Sequence, residues 1–194
     1  MLYLTVDVKD IGADFYISNC HKWMNSPKGT TILCVDKKWQ TITRPTVISS
    51  YGEYYNEEWH RNFEFTGTRD NTNFLAIKEA LEFRMEIGDQ RIKKYIHDIA
   101  WASAKELSTL WKTRILVSNE AMNPALVCIE IPCNLETGRK VQDVLYSKYD
   151  TVIILLQTRD ISYIRISGQI YLEVQDFVTM ATRFLEILET LTKK

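Results

Sequence analysis

Asp14-Phe15-Tyr16-Ile17-Ser18-Asn19-Cys20-His21-Lys22-Trp23-Met24-Asn25-Ser26-Pro27-Lys28-Gly29-Thr30-Thr31-Ile32-Leu33-Cys34-Val35 is the stretch on which the fold turns. The Asp-Phe-Tyr-Ile run and the run from Thr31 to Val35 read as short strands, separated by a loop rich in polar residues, Pro and Gly. Binding and catalytic groups concentrate on loops held by regular elements, and this loop carries His21, Lys22 and Trp23, then Ser26-Pro27-Lys28-Gly29. Upstream, the alternating apolar positions from Leu2 to Val8 predict one more short strand.

Downstream, from Trp39 to Thr68, the pattern is irregular and aromatic, with Tyr51, Tyr54, Tyr55, Trp59, Phe63 and Phe65, as in an ordered functional loop region. Phe74, Ile77, Leu81 and Met85 then fall at helical spacing from Asn73 to about Ile87, and Gly88 supplies a stop. Asp89 can cap a second helix whose stripe is Ile92, Ile96, Ile99, Ser103, Leu107 and Leu110, running on to Trp111. Arg91, Lys93 and Lys94 are then its solvated face. A strand at Ala125–Ile131, a helix at about Gly138–Ser147, paired strands at Val152–Gln157 and Tyr163–Ser167, and a closing helix complete an alternating α/β pattern. The lobe boundary falls near Gly88, giving domains 1–90 and 91–194.

Composition narrows the function classes. Basic and acidic side chains number 24 and 25, a net charge of −1, so no broad field draws in DNA, RNA or an anionic membrane. An apolar content of 45% with only 7 Gly and 4 Pro describes a folded chain, one long enough to bury roughly 70% of its unfolded surface. No run approaches the ~20 apolar residues of a membrane helix, and the first residues lack the basic and apolar regions of a secretory leader. Cys20, Cys34, Cys128 and Cys133 are scattered, which predicts reduced, mostly buried thiols in the cytoplasm and no metal site.

Three segments carry the chemistry. The first runs Ile11-Gly12-Ala13-Asp14-Phe15-Tyr16, then Asn19-Cys20-His21-Lys22-Trp23, then Pro27-Lys28-Gly29-Thr30; the second is Phe65-Thr66-Gly67-Thr68-Arg69-Asp70; the third is Tyr163-Ile164-Arg165-Ile166-Ser167. In order and spacing they resemble the class V aminotransferase family of fold type I pyridoxal-phosphate enzymes, most closely its isopenicillin N epimerase-like branch. The resemblance runs from about Leu4 to the closing helix. It implies the C-terminal portion of that fold: a remnant of the large cofactor-binding domain, then the small α/β C-terminal domain.

The resemblance also assigns roles. Lys22 would hold pyridoxal 5'-phosphate as a Schiff base and act as a base at the substrate α-carbon, with Trp23 and Met24 desolvating it. His21 would orient the cofactor or the loop; if this stretch is extended it points away from Lys22. His60 and His97 are read as structural. Gly67 and Thr68 offer a hydroxyl and free N–H groups to a phosphate, in the family that of the neighbouring subunit's cofactor, which implies a homodimer. Arg69 and Asp70 can pair or cap the next helix. Arg165 would clamp a substrate carboxylate. Tyr171 fits the tyrosine that follows in the family, whereas Leu172 replaces the usual asparagine.

The family's N-terminal half would supply the phosphate cup, the aromatic group stacked on the cofactor ring and the acidic partner of the pyridine nitrogen. It lies upstream of Met1, and Asp7, Asp10 and Asp14 are no substitute. The chain alone is therefore expected to be incomplete for catalysis. The complete form would act at the α-carbon of an amino acid by epimerisation, β-elimination such as cysteine desulfhydration, or transamination. A cysteine-desulfurase activity is disfavoured, because no Ser/Gly-rich loop presents a cysteine before Arg165. The alternative is a catalytically inactive truncated paralogue that associates with a full-length partner around Thr68. A nucleic-acid or adaptor module has only the Arg91, Lys93, Lys94 cluster in its favour.

Overall fold

The computed structural model describes residues 6–51 and 58–193, which form two compact units, Met1–Gly88 and Asp89–Lys194. Tyr54, Tyr55 and residues 2–5 of the strand expected over Leu2–Val8 lie outside the described residues. The rest of that stretch is not a strand, because Val8–Ile11 is a one-turn helix, α1. Local capping overrides the alternation: the Asp7 carboxylate accepts from the Lys9 N–H at 2.8 Å, and Gly12 closes the turn in the left-handed region.

In the first unit β1 (Phe15–Asn19) and β2 (Thr31–Val35) pair antiparallel, from Phe15 opposite Val35 to Asn19 opposite Thr31. A short helix α2 (Lys37–Gln40) follows, capped by Asp36. Asp14 at the mouth of the hairpin pairs with Lys38 at 2.5 Å, and the hydrogen bond from that ammonium holds its carboxyl below the usual carboxylate range. Helix α3 (Thr72–Ile87) buries Ala80 and Arg84. Its apolar stripe is not a core face, since Phe74, Leu81 and Met85 are exposed. The buried cluster of this unit is Cys20, Trp23 and Met24, with Ile32 and Ile77 against it.

The second unit is α4 (Asp89–Trp111), β3 (Leu126–Glu130), α5 (Leu135–Tyr149), β4 (Ile154–Thr158), β5 (Ile161–Ser167) and α6 (Val174–Thr192). Its strands form an antiparallel sheet in the order β3-β5-β4. Strand alternation sends Val127, Ile129, Ile164 and Ile166 into one core with Ala104 and Leu107 of α4, Val141 and Leu145 of α5 and Phe184 of α6. Each fully buried Leu, Ile or Phe there contributes about 1.5–3 kcal/mol. Trp111 closes α4 by donating its indole N–H to the Ala181 carbonyl at 3.1 Å.

Several expected boundaries shift for local reasons. Asn134 caps the Thr137 N–H at 2.9 Å, so α5 starts before Gly138. Asp89 is the first residue of α4 and pairs with Lys93 at 2.7 Å, so Lys93 is largely covered and not part of a solvated face. Leu110 is exposed, whereas Trp111 continues the buried stripe. Gly168, just past β5, comes so close to α4 that a Cβ there would stand 2.0 Å from the Ile96 carbonyl oxygen. Among the described residues no helix is long and apolar enough to cross a membrane.

Candidate functional site

The hairpin ladder extends one bond past β1, with the Cys20 N–H donating to the Thr30 carbonyl at 3.1 Å. Cys20–Lys22 then form a 3-10 turn, closed by the Trp23 and Met24 N–H groups on the Cys20 carbonyl. Cys20, Trp23 and Met24 are buried, and the Trp23 indole donates to Ser18 Oγ at 3.0 Å. These anchors leave Lys22 exposed. Two expectations need correcting here. Trp23 and Met24 are spent on the core and do not wrap Lys22, and the stretch is helical, so His21 departs about 120° around the turn axis from Lys22 and not on an opposite strand face. His21 Nδ1 is buried without a hydrogen-bond partner among the described residues.

Gly67 has φ +125, a backbone conformation that a side chain would strain, and both it and Thr68 are exposed. Phe65, two residues before Gly67, is tied down through its carbonyl, which accepts from the Ser50 N–H at 3.0 Å. Asp70 then accepts from the Thr72 N–H at 2.8 Å and from its hydroxyl at 2.5 Å, starting α3. Those bonds hold the Asp70 carboxyl below its usual range. Arg69 bonds Asn71 at 3.2 Å and lies over the Phe74 ring.

In the second unit Arg165 stands on the central strand, directly opposite Cys128 of β3 and Ile154 of β4. It lines a cleft of about 320 Å³ with Ile154, Ser167, Leu172, Phe177 and Met180. Its Nε is buried without a hydrogen-bond partner among the described residues. Burial pushes the Cys128 thiol up, against the pull of the Arg165 charge, and pushes the Cys133 thiol up to about 11. All four cysteines are free, but only Cys20 is buried; the other three are half-buried, contrary to the expectation.

Lys22, His21, Gly67 and Thr68 belong to the first unit and Arg165 to the second. His97 bonds the Pro124 carbonyl at 3.2 Å, and His60 lies 3.7 Å from Glu64. The residue that sequence reasoning missed is Arg84, buried on α3, whose guanidinium reaches the Trp23 carbonyl at 2.7 Å. Its one signal is spacing: it stands four residues after Ala80, on the same helix face.

The comparisons with known proteins bear on this arrangement. A model of the family described as aminotransferase class-V matches residues 1–148. Hercynylcysteine sulfoxide lyase of Schizosaccharomyces pombe is 29% identical over 187 residues, covering 92% of this chain and 47% of its own. L-cysteine desulfhydrase of Arabidopsis thaliana is 28% identical, covering 95% and 45%, and isopenicillin N epimerase of Amycolatopsis lactamdurans is 23% identical, covering 98% and 50%. The chain thus spans about half the length of these relatives. Among solved structures, a NifS-like protein matches with TM-score 0.71 and 20% identity over 95% of this chain and 48% of its own. A C-DES mutant with glycine covalently linked to its PLP cofactor matches with TM-score 0.68 and 17% identity, over 98% and 48%. The fold is that of a portion of a fold type I PLP-dependent enzyme.

Proposed function

The chain belongs to the aminotransferase class-V family, and from that premise we propose that it is the lysine-bearing portion of a pyridoxal-phosphate-dependent enzyme acting at the α-carbon of an amino acid. The observation that carries this reading is Lys22 itself, exposed on a turn whose neighbours Cys20, Trp23 and Met24 are all sunk in the core. Met1–Gly88 then supplies part of the large cofactor-binding domain and Asp89–Lys194 the small α/β domain.

Pyridoxal 5'-phosphate, when bound, supplies an aldehyde for an amino group and a ring that draws electrons from the α-carbon. Two buried atoms without partners, His21 Nδ1 and Arg165 Nε, fit a chain that expects bound groups. Lys22 Nζ would be the amine that holds the cofactor and the base placed to take a proton from the substrate α-carbon. His21 and the exposed Gly67–Thr68 backbone and hydroxyl would hold the cofactor, Thr68 at the phosphate of the neighbouring subunit in a homodimer. Arg165 would meet a carboxylate with its two terminal Nη groups in two parallel bonds, fixing the α-carbon. The relatives named lyase and desulfhydrase favour β-elimination at a carbon–sulfur bond over epimerisation or transamination. Four free thiols support a cytoplasmic location.

The test is an absorption spectrum of the chain with added pyridoxal phosphate, before and after borohydride, beside Lys22→Ala. A visible band that borohydride traps, and that the variant lacks, supports the reading; equal trapping in both defeats it. Exposed Leu75, Leu81 and Met85 on α3 favour a second reading, a catalytically inactive chain that associates with a full-length relative. Cofactor retention without turnover, restored on mixing with that relative, would select it.

A further inference from the structure

Helix α3 reaches back to both arms of the loop that carries Lys22. Near its N-terminus Asn73 Nδ2 donates to the Lys28 carbonyl at 3.1 Å. Near its C-terminus Arg84, 5% exposed, donates from Nη1 to the Trp23 carbonyl at 2.7 Å. The Met24 N–H, on the other side of the same peptide plane, donates to the Cys20 carbonyl at 2.9 Å. That rigid plane between Trp23 and Met24 is therefore held at both polar ends, and Lys22 stands one residue before Trp23. Burying a guanidinium carries a desolvation cost that a Leu or Met at the same place would avoid. A charge-assisted bond to the Trp23 carbonyl is something an arginine adds beyond packing.

We propose that Arg84 is a positioning residue for Lys22: by clamping the Trp23 carbonyl it fixes the turn from which the lysine side chain departs, so that Nζ is presented along one direction. The same helix begins at Thr72, whose N–H donates to Asp70, four residues after Thr68, so one rigid element bears on the geometry of both loops. This inference rests on the reading of Lys22 as the lysine that holds the cofactor.

The test uses the full chain with Arg84→Met, Arg84→Lys and Asn73→Ala. The first readout is hydrogen exchange at the Met24 amide, which needs no cofactor. The second is peptide mapping of borohydride-trapped pyridoxal phosphate, as the ratio of label on Lys22 to label on Lys28. In R84M, at a temperature where circular dichroism is unchanged, Met24 exchange should rise about tenfold and the labelling ratio should fall about fivefold. R84K should restore at least half of each, and N73A should leave the Met24 amide unchanged. A merely structural arginine would lower the melting temperature while leaving the ratio and the Met24 amide as they were, and that result overturns the proposal. Should R84M fail to fold, R84Q, whose amide is polar but too short to span to the Trp23 carbonyl, takes its place with the same expectations. Absence of label on Lys22 in the unaltered chain would defeat the functional reading, whereas label present but indifferent to Arg84 would defeat the positioning role alone.

Discussion

Arg165 stands on the middle strand of a sheet, laddered on both sides, over a core that runs from Leu107 through Ile129 to Phe184. Lys22 stands on a 3-10 turn backed by Cys20, Trp23 and Met24 and tied by hydrogen bonds from Arg84 and Asn73. In the second unit the place of a charged side chain is inherited from the packing of the sheet and helices around it. In the first it depends on bonds that can be removed one at a time, each worth about 0.5–1.5 kcal/mol net, or 1.5–3 where the donor is charged. The apolar residues of α3 and the core of the second unit also differ in what they leave uncovered. Leu75 and Met85 on α3 are 75% and 70% exposed, while the Phe and Ile positions of the second core are closed.

The contrast can be broken or sharpened by substitution. Phe184→Ala removes a fully buried ring packed 5.0 Å from Trp111 and should cost about 3–5 kcal/mol in a denaturant melt of the second unit. A loss near 1 kcal/mol would mean that the collective core is an illusion. Arg165→Gln should weaken binding of an amino acid to the cofactor-loaded chain by about 2–3 kcal/mol, read by calorimetry, while the melt of the second unit stays in place. If the melt collapses instead, Arg165 is a structural residue.

Cys133 sharpens the comparison through pH. Its folded thiol holds the proton up to about 11, above the ordinary 9.0. Between those values the unfolded chain has lost a proton that the folded chain keeps, so stability falls as pH rises through that window. Cys133→Ser should flatten part of the fall between pH 9 and 11 in urea melts, and an unchanged slope would put the thiol in contact with water. Leu75→Ser should change stability by no more than about 0.5 kcal/mol, because the side chain touches little within its own unit. A loss several times larger in a concentration-dependent melt would show that this face is covered in solution.

Much of the fold was legible where the pattern had one cause. The periodic stripes predicted α3, α4 and α6, and short runs between turn residues predicted β1 to β5, since helix and strand differ in spacing and length. Where local polar chemistry decided, the sequence was harder to read. Val8 belongs to a helix because Asp7 and Gly12 cap it, and β5 starts before Tyr163 because Arg159 takes a positive φ in the turn, without the glycine that usually signals one. The candidate residues Lys22, Thr68 and Arg165 were legible as motif positions, but their surroundings were not. Only the spacing from Ala80 distinguishes Arg84, which is buried, from Lys78, which is solvated. That difference arises only when the chain brings Trp23 against α3.

Gly168 gives the second unit a clearance of zero. With the Ile96 carbonyl oxygen 2.0 Å from where a Cβ would stand, and the Ala100 methyl 3.2 Å away, even alanine would act as a shim that lifts the end of β5 off α4. Arg165 lies three residues before that point, so its height above the helix is set like a machined part's, by an interval with no room for adjustment. A change at position 168 should therefore reach the cleft as a displacement of the guanidinium, without altering any residue that lines it.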